Sequence, residues 1–560
     1  MTNSLRTACA ALLCALALAA CGGGGNNVAA STAPPATTPP PADPAPPAAD
    51  PLRVRTTEGE VQGKTADGAL AFLGIPYAQP PVGDLRWAPP QPPAVREQVL
   101  QAVDYGHACA QAPIPGVAPS PSEDCLYLTV WKPAGSDANA RLPVLFYIHG
   151  GAFVLGSGAG DYSALARRGV IVVSINYRLG ALGYLANTAL RQANGDGSLG
   201  NFAVMDMLAA LQWVQGNIAA FGGDPKQVTI WGTSAGATQS FSLLQSPLAR
   251  GLFQRAVMQS GGGGAYSNLT PETALATGDA AVVQLGCAGA GDATATVACL
   301  RAQPVSALLA LGASKWRPTV DARVLTQIPA RAFESGNFNQ VPVMIGGVYD
   351  EGTLFVDPGL SAAYYPLYLR GLAPAGYDTT AIEAAYPQAN YAVPAQGFAR
   401  AMGDAMYACG NSARRDALSA WVPVYGWEFT DPALSFPPAP GAFYYGSAHG
   451  MDSYYFTGTV DDLPTYPYFD AGVIAPGSPE IAQRRLLGDQ MMGYLLNFVR
   501  SGNPNAAPNG EAPAVAWPRY AAAQRDTIDF TLPQIRTAGN FDQVHHCDTL
   551  WSPAVFPSIY

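Results

Sequence analysis

The stretch Gly232-Thr233-Ser234-Ala235-Gly236 fits G-x-S-x-G, a pattern that can present an activated hydroxyl. Val228 to Trp231, apolar and β-branched, reads as a buried strand before it, and Ala235 to Leu244 reads as a helix after it. A serine on such a strand-to-helix turn is pushed out of the sheet with its Oγ accessible, and the flanking glycines tolerate the sharp backbone. A serine hydroxyl is a weak nucleophile and needs a base to take its proton. Histidine suits that role near neutral pH, and the chain has five: His107, His149, His449, His545 and His546. The chain order Ser, acid, His that accompanies this turn leaves the last three. His449 lies in Gly446-Ser447-Ala448-His449-Gly450, a small-residue loop behind an aromatic, strand-like run, so an imidazole can reach over the serine without obstruction. His545 and His546 lie beside Cys547 near the C-terminus, and the base is therefore assigned to His449. The acid belongs between serine and histidine, after a strand. Val341 to Ile345 reads as that strand and runs into Tyr349-Asp350-Glu351-Gly352, where the pattern leaves Asp350 and Glu351 both open.

Negative charge developing on a substrate oxygen needs backbone donors fixed in place. His149-Gly150-Gly151-Ala152 follows the apolar run Val144 to Ile148, where such a donor loop belongs. Gly150 and Gly151 are the expected donors, with Ala235 as the third, and His149 is then structural rather than a base. Gly59 to Thr65 looks like a phosphate-binding loop but has three residues between its glycines instead of four, so it reads as a hairpin turn.

These groups need a scaffold. Leu126 to Trp131, Val144 to Ile148, Val170 to Ile175, Val228 to Trp231, Ala256 to Met258 and Val341 to Ile345 read as strands. Asn201 to Ala220 reads as a helix with Met207, Leu211, Val214 and Ile218 on one buried face, and Ala482 to Val499 as a second long helix. Val54, Val61 and Ala69 to Phe72, divided by glycines, read as antiparallel hairpins. Strands alternating with helices predict an α/β fold: a large mixed, mostly parallel sheet flanked by helices. Residues 360–475, rich in Pro and Tyr, read as a helical cap over the site.

Composition bounds the partners. The 560 residues are 49% apolar and 12% charged, a globular balance. The net charge is −10 with no Lys/Arg cluster, which argues against a nucleic-acid partner. No zinc-type Cys/His spacing occurs, and neither a metal nor a cofactor is expected. Residues 1–20 read as a targeting leader whose apolar run, Ala8 to Ala20, is too short to span a bilayer. Leu18-Ala19-Ala20-Cys21-Gly22 resembles a bacterial lipobox. It predicts lipidation of Cys21, export to the cell envelope, and a membrane contact through the lipid, with the following glycine compatible with the outer membrane. Residues 21–51, dominated by Gly, Pro and Ala, read as a tether, and 52–560 as the folded body. Of nine cysteines, Cys9, Cys14 and Cys21 belong to the leader, leaving Cys109, Cys125, Cys287, Cys299, Cys409 and Cys547. In an exported chain these predict disulfides, with fifteen connectivities open. The close neighbours suggest short loops 109–125 and 287–299, with 409–547 left to close a long one.

From about Leu52 to the C-terminus the chain resembles the type-B carboxylesterase, or cholinesterase-like, family of the α/β-hydrolase fold. The matching stretches are Phe72-Leu73-Gly74-Ile75-Pro76-Tyr77-Ala78, Ser122-Glu123-Asp124-Cys125-Leu126-Tyr127-Leu128, Asn176-Tyr177-Arg178-Leu179-Gly180, Phe221-Gly222-Gly223-Asp224-Pro225 and the serine pentapeptide. The resemblance implies a serine esterase that cleaves small carboxylic esters through an acyl-enzyme. It selects Glu351, the glutamate before glycine, over Asp350. It implies that Ser260 hydrogen-bonds that glutamate, and that the cysteines pair as 109–125, 287–299 and 409–547. Two positions depart from the family pattern. Thr233 stands where many members carry glutamate, and residues 110–124 hold no aromatic to stack on a quaternary ammonium, which argues against choline esters. The competing expectation is a relative that binds or adheres without chemistry. Such relatives usually lack a triad member, and none is missing here.

Overall fold

A computed structural model describes residues 50–552, apart from 114–117, 264–267, 314, 374–376, 432–440, 466–478 and 507–509. The expected leader, Cys21 and nearly all of the tether lie outside the described residues. Apolar and β-branched runs set the strands in chain order: β1 (Arg53–Thr56), β2 (Gly59–Gln62), β3 (Lys64–Ala66), β4 (Ala69–Pro76), β5 (Leu100–Gln101), β6 (Tyr127–Pro133), β7 (Leu142–Ile148), β8 (Ile171–Ile175), β9 (Gly223–Thr233), β10 (Arg255–Gln259), β11 (Val343–Val348), β12 (Val424–Phe429), β13 (Thr527–Phe530) and β14 (Arg536–Ala538). Among the described residues, eleven of them form one sheet in the order β14-β13-β12-β11-β10-β9-β7-β8-β6-β4-β3. Its middle, from β8 through β7 and β9 to β13, is parallel, and its edges are antiparallel. The first hairpin, β1 and β2, joins β5 in a separate small sheet. Gly59 to Thr65 is not the expected hairpin turn: it forms β2 and runs on past Gly63 into β3, strands that pair in two different sheets.

Side chains on a strand alternate between faces, and both faces of this sheet are buried. Val144, Phe146 and Ile148 of β7, with Val228 and Ile230 of β9, enter one apolar core. Leu145, Trp231, Val257 and Met344 enter the other. The Phe202–Asn217 and Ala235–Gln245 helices cover the first face, and the Asp452–Thr457 and Pro479–Ser501 helices cover the second. Such a sheet, clad in helices on both sides, leaves the carboxyl ends of its parallel strands as the place for a site.

Two expectations need correction. The Phe202–Asn217 helix is buried nearly all round and not on one face: Phe202, Val204, Met205, Leu208 and Trp213 are buried beside Met207, Leu211 and Val214. The small sheet's loop closes over its outer side, where Trp213 Nε1 donates to Glu58 Oε2 (3.1 Å). The stretch 360–475 carries separate helices, from Tyr365–Arg370 to Cys409–Ser419, but then supplies β12, a central strand between β11 and β13. Five of the six β12 residues are buried, so no alternation marks it in the sequence. The helical part has its own apolar core with the C-terminal segment. The cysteines pair as Cys109–Cys125, Cys287–Cys299 and Cys409–Cys547, and the last joins that core across 138 residues of chain. Loop closure of this kind contributes about 3–5 kcal/mol per bridge.

Candidate active site

Ser234 stands between the end of β9 and the helix that starts at Ala235, with φ 59° and ψ −124°. A non-glycine residue adopts this region only where the surroundings enforce it. Here the crossing is too tight for side chains: a Cβ on Gly232 would lie 2.0 Å from Gly236 O, and one on Gly236 would lie 2.1 Å from Ile148 O. Ser234 N donates to Gln259 O (2.8 Å), which ties the turn to β10.

The loop after β7 lies directly against this turn. A Cβ on Gly150 would be 2.9 Å from both Ser234 Cβ and Thr233 O. Among the described residues, no acceptor takes the N–H of Gly150, Gly151 or Ala235. His149 holds this loop. Its Nδ1 bonds Gly150 O (2.7 Å), its ring stacks on Tyr177 at 4.3 Å, and Tyr177 Oη donates to its carbonyl (2.8 Å). Burial pushes the His149 pKa down to about 4, so the ring stays neutral and serves as a brace.

After β11 the chain turns through Asp350 and Glu351, and the two carboxylates diverge. Glu351 Oε2 meets His449 Nδ1 at 2.5 Å, both side chains being buried. Glu351 Oε1 accepts from Val348 N (3.0 Å). Asp350 instead accepts from Ser447 N at Oδ2 (2.9 Å) while its own N donates to Ser447 O (3.1 Å), so it pins the loop that carries His449. Burial pushes the Asp350 pKa up to about 6. Gly446 is required there, since a Cβ would sit 2.0 Å from Asp350 Oδ2. The residues before that loop, Phe443 to Tyr445, are irregular and not the strand-like run expected. His545 lies elsewhere, between Asp404 and Glu428.

His449 Nε2 has no hydrogen-bond partner among the described residues. It faces, with Ser234, Gly151 and Ala235, a pocket of ≈ 510 Å³. No hydrogen bond joins Ser234 Oγ to His449. Phe355 and Tyr407 pack on the imidazole at 4.9 and 5.0 Å and stack on each other at 5.8 Å. Tyr407 comes from a π-helical turn, Asp404–Ala408, a distortion frequent at functional sites. Apart from His449, no ionisable acid or base lines the pocket among the described residues except the phenols of Tyr407 and Tyr454.

The hydroxyl of Ser260 makes no hydrogen bond among the described residues, which corrects the expected Ser260–Glu351 bond. Glu351 Oε1 takes the Val348 N–H instead. Ser260 contributes through its backbone, with φ 54° and its N donating to Gly346 O (2.7 Å). The sequence reading also missed a polar chain beneath the site. Thr233 Oγ1 and Trp231 Nε1 donate to Gln259 Oε1 (2.9 and 3.0 Å). Gln259 Nε2 donates to Asp452 Oδ1 (2.6 Å) and Trp427 Nε1 to Asp452 Oδ2 (3.3 Å). An acid three residues after His449 was the available signal. Thr233 is thus linked to the Asp452 carboxyl group through an amide.

The chain matches the carboxylesterase family over residues 50–549. It is 34% identical to the fumonisin B1 esterase of Sphingopyxis macrogoltabida over 495 residues, which is 84% of this chain and 85% of that protein. It is also 34% identical to the para-nitrobenzyl esterase of Bacillus subtilis over 499 residues, 85% of this chain and 94% of that protein. Identity to the acetylcholinesterase of Bungarus fasciatus is 32% over 549 residues, 88% of this chain and 85% of that one. A solved PNB esterase structure superposes with TM-score 0.74 at 30% identity, covering 90% of this chain and 100% of that one.

Burial pushes the Asp452 pKa up to about 7 from 3.8, against the pull of the Gln259 hydrogen bond. A raised pKa means stability that is present below the unfolded value and is lost as pH rises through the folded one. Asp452→Asn removes that loss. In urea unfolding, the stability of the variant relative to wild type should increase by at least about 1 kcal/mol between pH 5 and pH 8. A difference that stays constant would contradict the assignment.

Proposed function

The chain belongs to the carboxylesterase family and is a serine carboxylic-ester hydrolase of the α/β-hydrolase fold, and on that premise we propose that Ser234, His449 and Glu351 form its catalytic triad. One observation carries the reading: His449 pairs Nδ1 with a buried carboxylate while Nε2 stands unpartnered on the wall of the pocket that Ser234 also lines. Ser234 Oγ attacks the ester carbonyl carbon as Nε2 takes its proton, and Glu351 stabilises the imidazolium. The N–H groups of Gly150, Gly151 and Ala235 hold the oxyanion. The C–O bond to the alcohol then breaks as the imidazolium protonates the leaving oxygen, and water repeats the cycle on the acyl-enzyme. The Ser234–His449 hydrogen bond forms as substrate seats, since catalytic hydrogen bonds tighten in the Michaelis complex.

Ser234→Ala should lower turnover of a p-nitrophenyl ester by about 10⁶-fold with the fold unchanged by circular dichroism. Undiminished turnover would remove Ser234 from the mechanism. Among the described residues the pocket lining carries no Lys or Arg, so the proposed substrates carry an uncharged acyl group. A carboxylate-bearing acyl group should reduce kcat/KM by about 10²-fold or more against its neutral isostere, because the charge would be buried unpaired. Equal rates would reject this specificity.

The leader and Cys21 support export and attachment to the cell envelope by lipid, and the three disulfides fit an oxidising compartment. Cys21→Ala should abolish incorporation of radiolabelled palmitate and release the enzyme from the membrane fraction. Label retained in that variant would refute the anchor.

A further inference from the structure

Behind the catalytic acid lies a second, much smaller space. Glu351 and Glu428 line one cavity of ≈ 10 Å³ together with Asn411, Arg415 and Phe541. That is room for a single water. Two carboxylates on one buried cavity repel each other unless a cation stands between them. Arg415 is the cation on that wall. It is 1% exposed, and its Nε, Nη1 and Nη2 make no hydrogen bond among the described residues. The Phe541 and Tyr520 rings lie 4.3 and 5.4 Å from its guanidinium carbon. Its stem crosses β12 where Gly426 leaves room, a Cβ there being 2.9 Å from Arg415 Cδ. The guanidinium donors lie in the plane of the group, so rings over its faces leave them for the edge. A buried cation whose donors reach no acceptor is costly.

The surrounding charges are already matched. Asp416 and Asp542 both pair with Arg525, and Asp416 also accepts from Tyr520. Glu428 Oε1 bonds His545 Nε2 (2.5 Å), His545 Nδ1 bonds Asp404 Oδ1 (2.6 Å), and Asp404 Oδ2 bonds Arg400 Nε (3.1 Å). Burial lowers the His545 pKa, but Glu428 and Asp404 outweigh it and hold it above the ordinary value. On the Glu351 side stand His449, Asp350 on the same loop, and Asp452 from the Asp452–Thr457 helix. Signs alternate through Glu351, Arg415, Glu428, His545, Asp404 and Arg400, and the two steps without a direct bond, on either side of Arg415, are at the cavity.

We infer that an ordered water in this cavity accepts from the Arg415 guanidinium and donates to Glu351, making Arg415 a positioning residue that compensates the buried charge of the catalytic acid. This rests on the triad reading above. Arg415 touches no substrate, and its effect falls on the protonation of the His449–Glu351 pair. Removing a nearby positive charge favours the protonated forms of that pair. The active form, with neutral imidazole and ionised carboxylate, then requires a higher pH.

The test is the pH profile of kcat/KM for Arg415→Met and Arg415→Lys in the full chain. Arg415→Met should move the acidic limb up by about one pH unit, and Arg415→Lys, which keeps the charge, should return it to the wild-type position. A folded Arg415→Met enzyme whose limb coincides with wild type overturns the inference. So does a high-resolution crystal structure of the wild-type protein in which no water lies within hydrogen-bond distance of both Arg415 and Glu351, a result independent of whether the Met variant folds. Glu351→Gln separates the two levels. If it retains activity, the triad reading fails; if it collapses activity while Arg415→Met leaves the limb unmoved, only the role of Arg415 fails.

Discussion

A carboxylate taken out of water must be paired or it is expelled or neutralised. The contact between Glu351 and His449 Nδ1 meets that constraint, and much of the chain is arranged around it. β11 delivers Glu351 at its carboxyl end, and β9 delivers Ser234 two strands away in the parallel register. The histidine has no strand of its own. It rides a loop held by two hydrogen bonds to Asp350, and two aromatic rings pack against the imidazole. An imidazole fixed at Nδ1 and walled on its faces presents Nε2 in one direction, toward the pocket.

The electrostatics extend well beyond that pair. Around Glu428 and His545, buried charges alternate in sign as far as Arg400, whose guanidinium lies over the Tyr349 ring. Below the elbow, the Thr233–Gln259–Asp452 chain places a second carboxyl near the imidazole without direct contact. The pocket between them carries no Asp, Glu, Lys or Arg among the described residues. Charge is concentrated around the His449–Glu351 pair and kept out of the pocket lining among the described residues. That division suits chemistry in which charge appears only at the transition state.

The parts readable from sequence were those where chemistry fixes both residue type and local spacing. The glycines flanking Ser234 are dictated by backbone approaches near 2 Å, and the Gly150-Gly151 loop by its packing on that serine. Strands with one clear apolar run were found within a few residues. Where burial is two-sided the signal fades: β12 shows no alternation, and the Phe202–Asn217 helix shows no single face. Asp350 and Glu351 could not be told apart by pattern, because adjacent turn residues point to different partners only once the His449 loop is in place. Phe355, Tyr407, Gln259 and Arg415 act through neighbours far away in the chain, so no local spacing marks them.

A hydrogen bond from His449 Nδ1 to buried Glu351 organises this site. Low-field proton NMR of the full-length enzyme at acid pH addresses it directly. An imidazole N–H resonance should appear far downfield of the amide envelope, survive Ser234→Ala and vanish in Glu351→Gln. Its absence from the wild-type enzyme, or its persistence in Glu351→Gln, would mean that this hydrogen bond does not hold the imidazole.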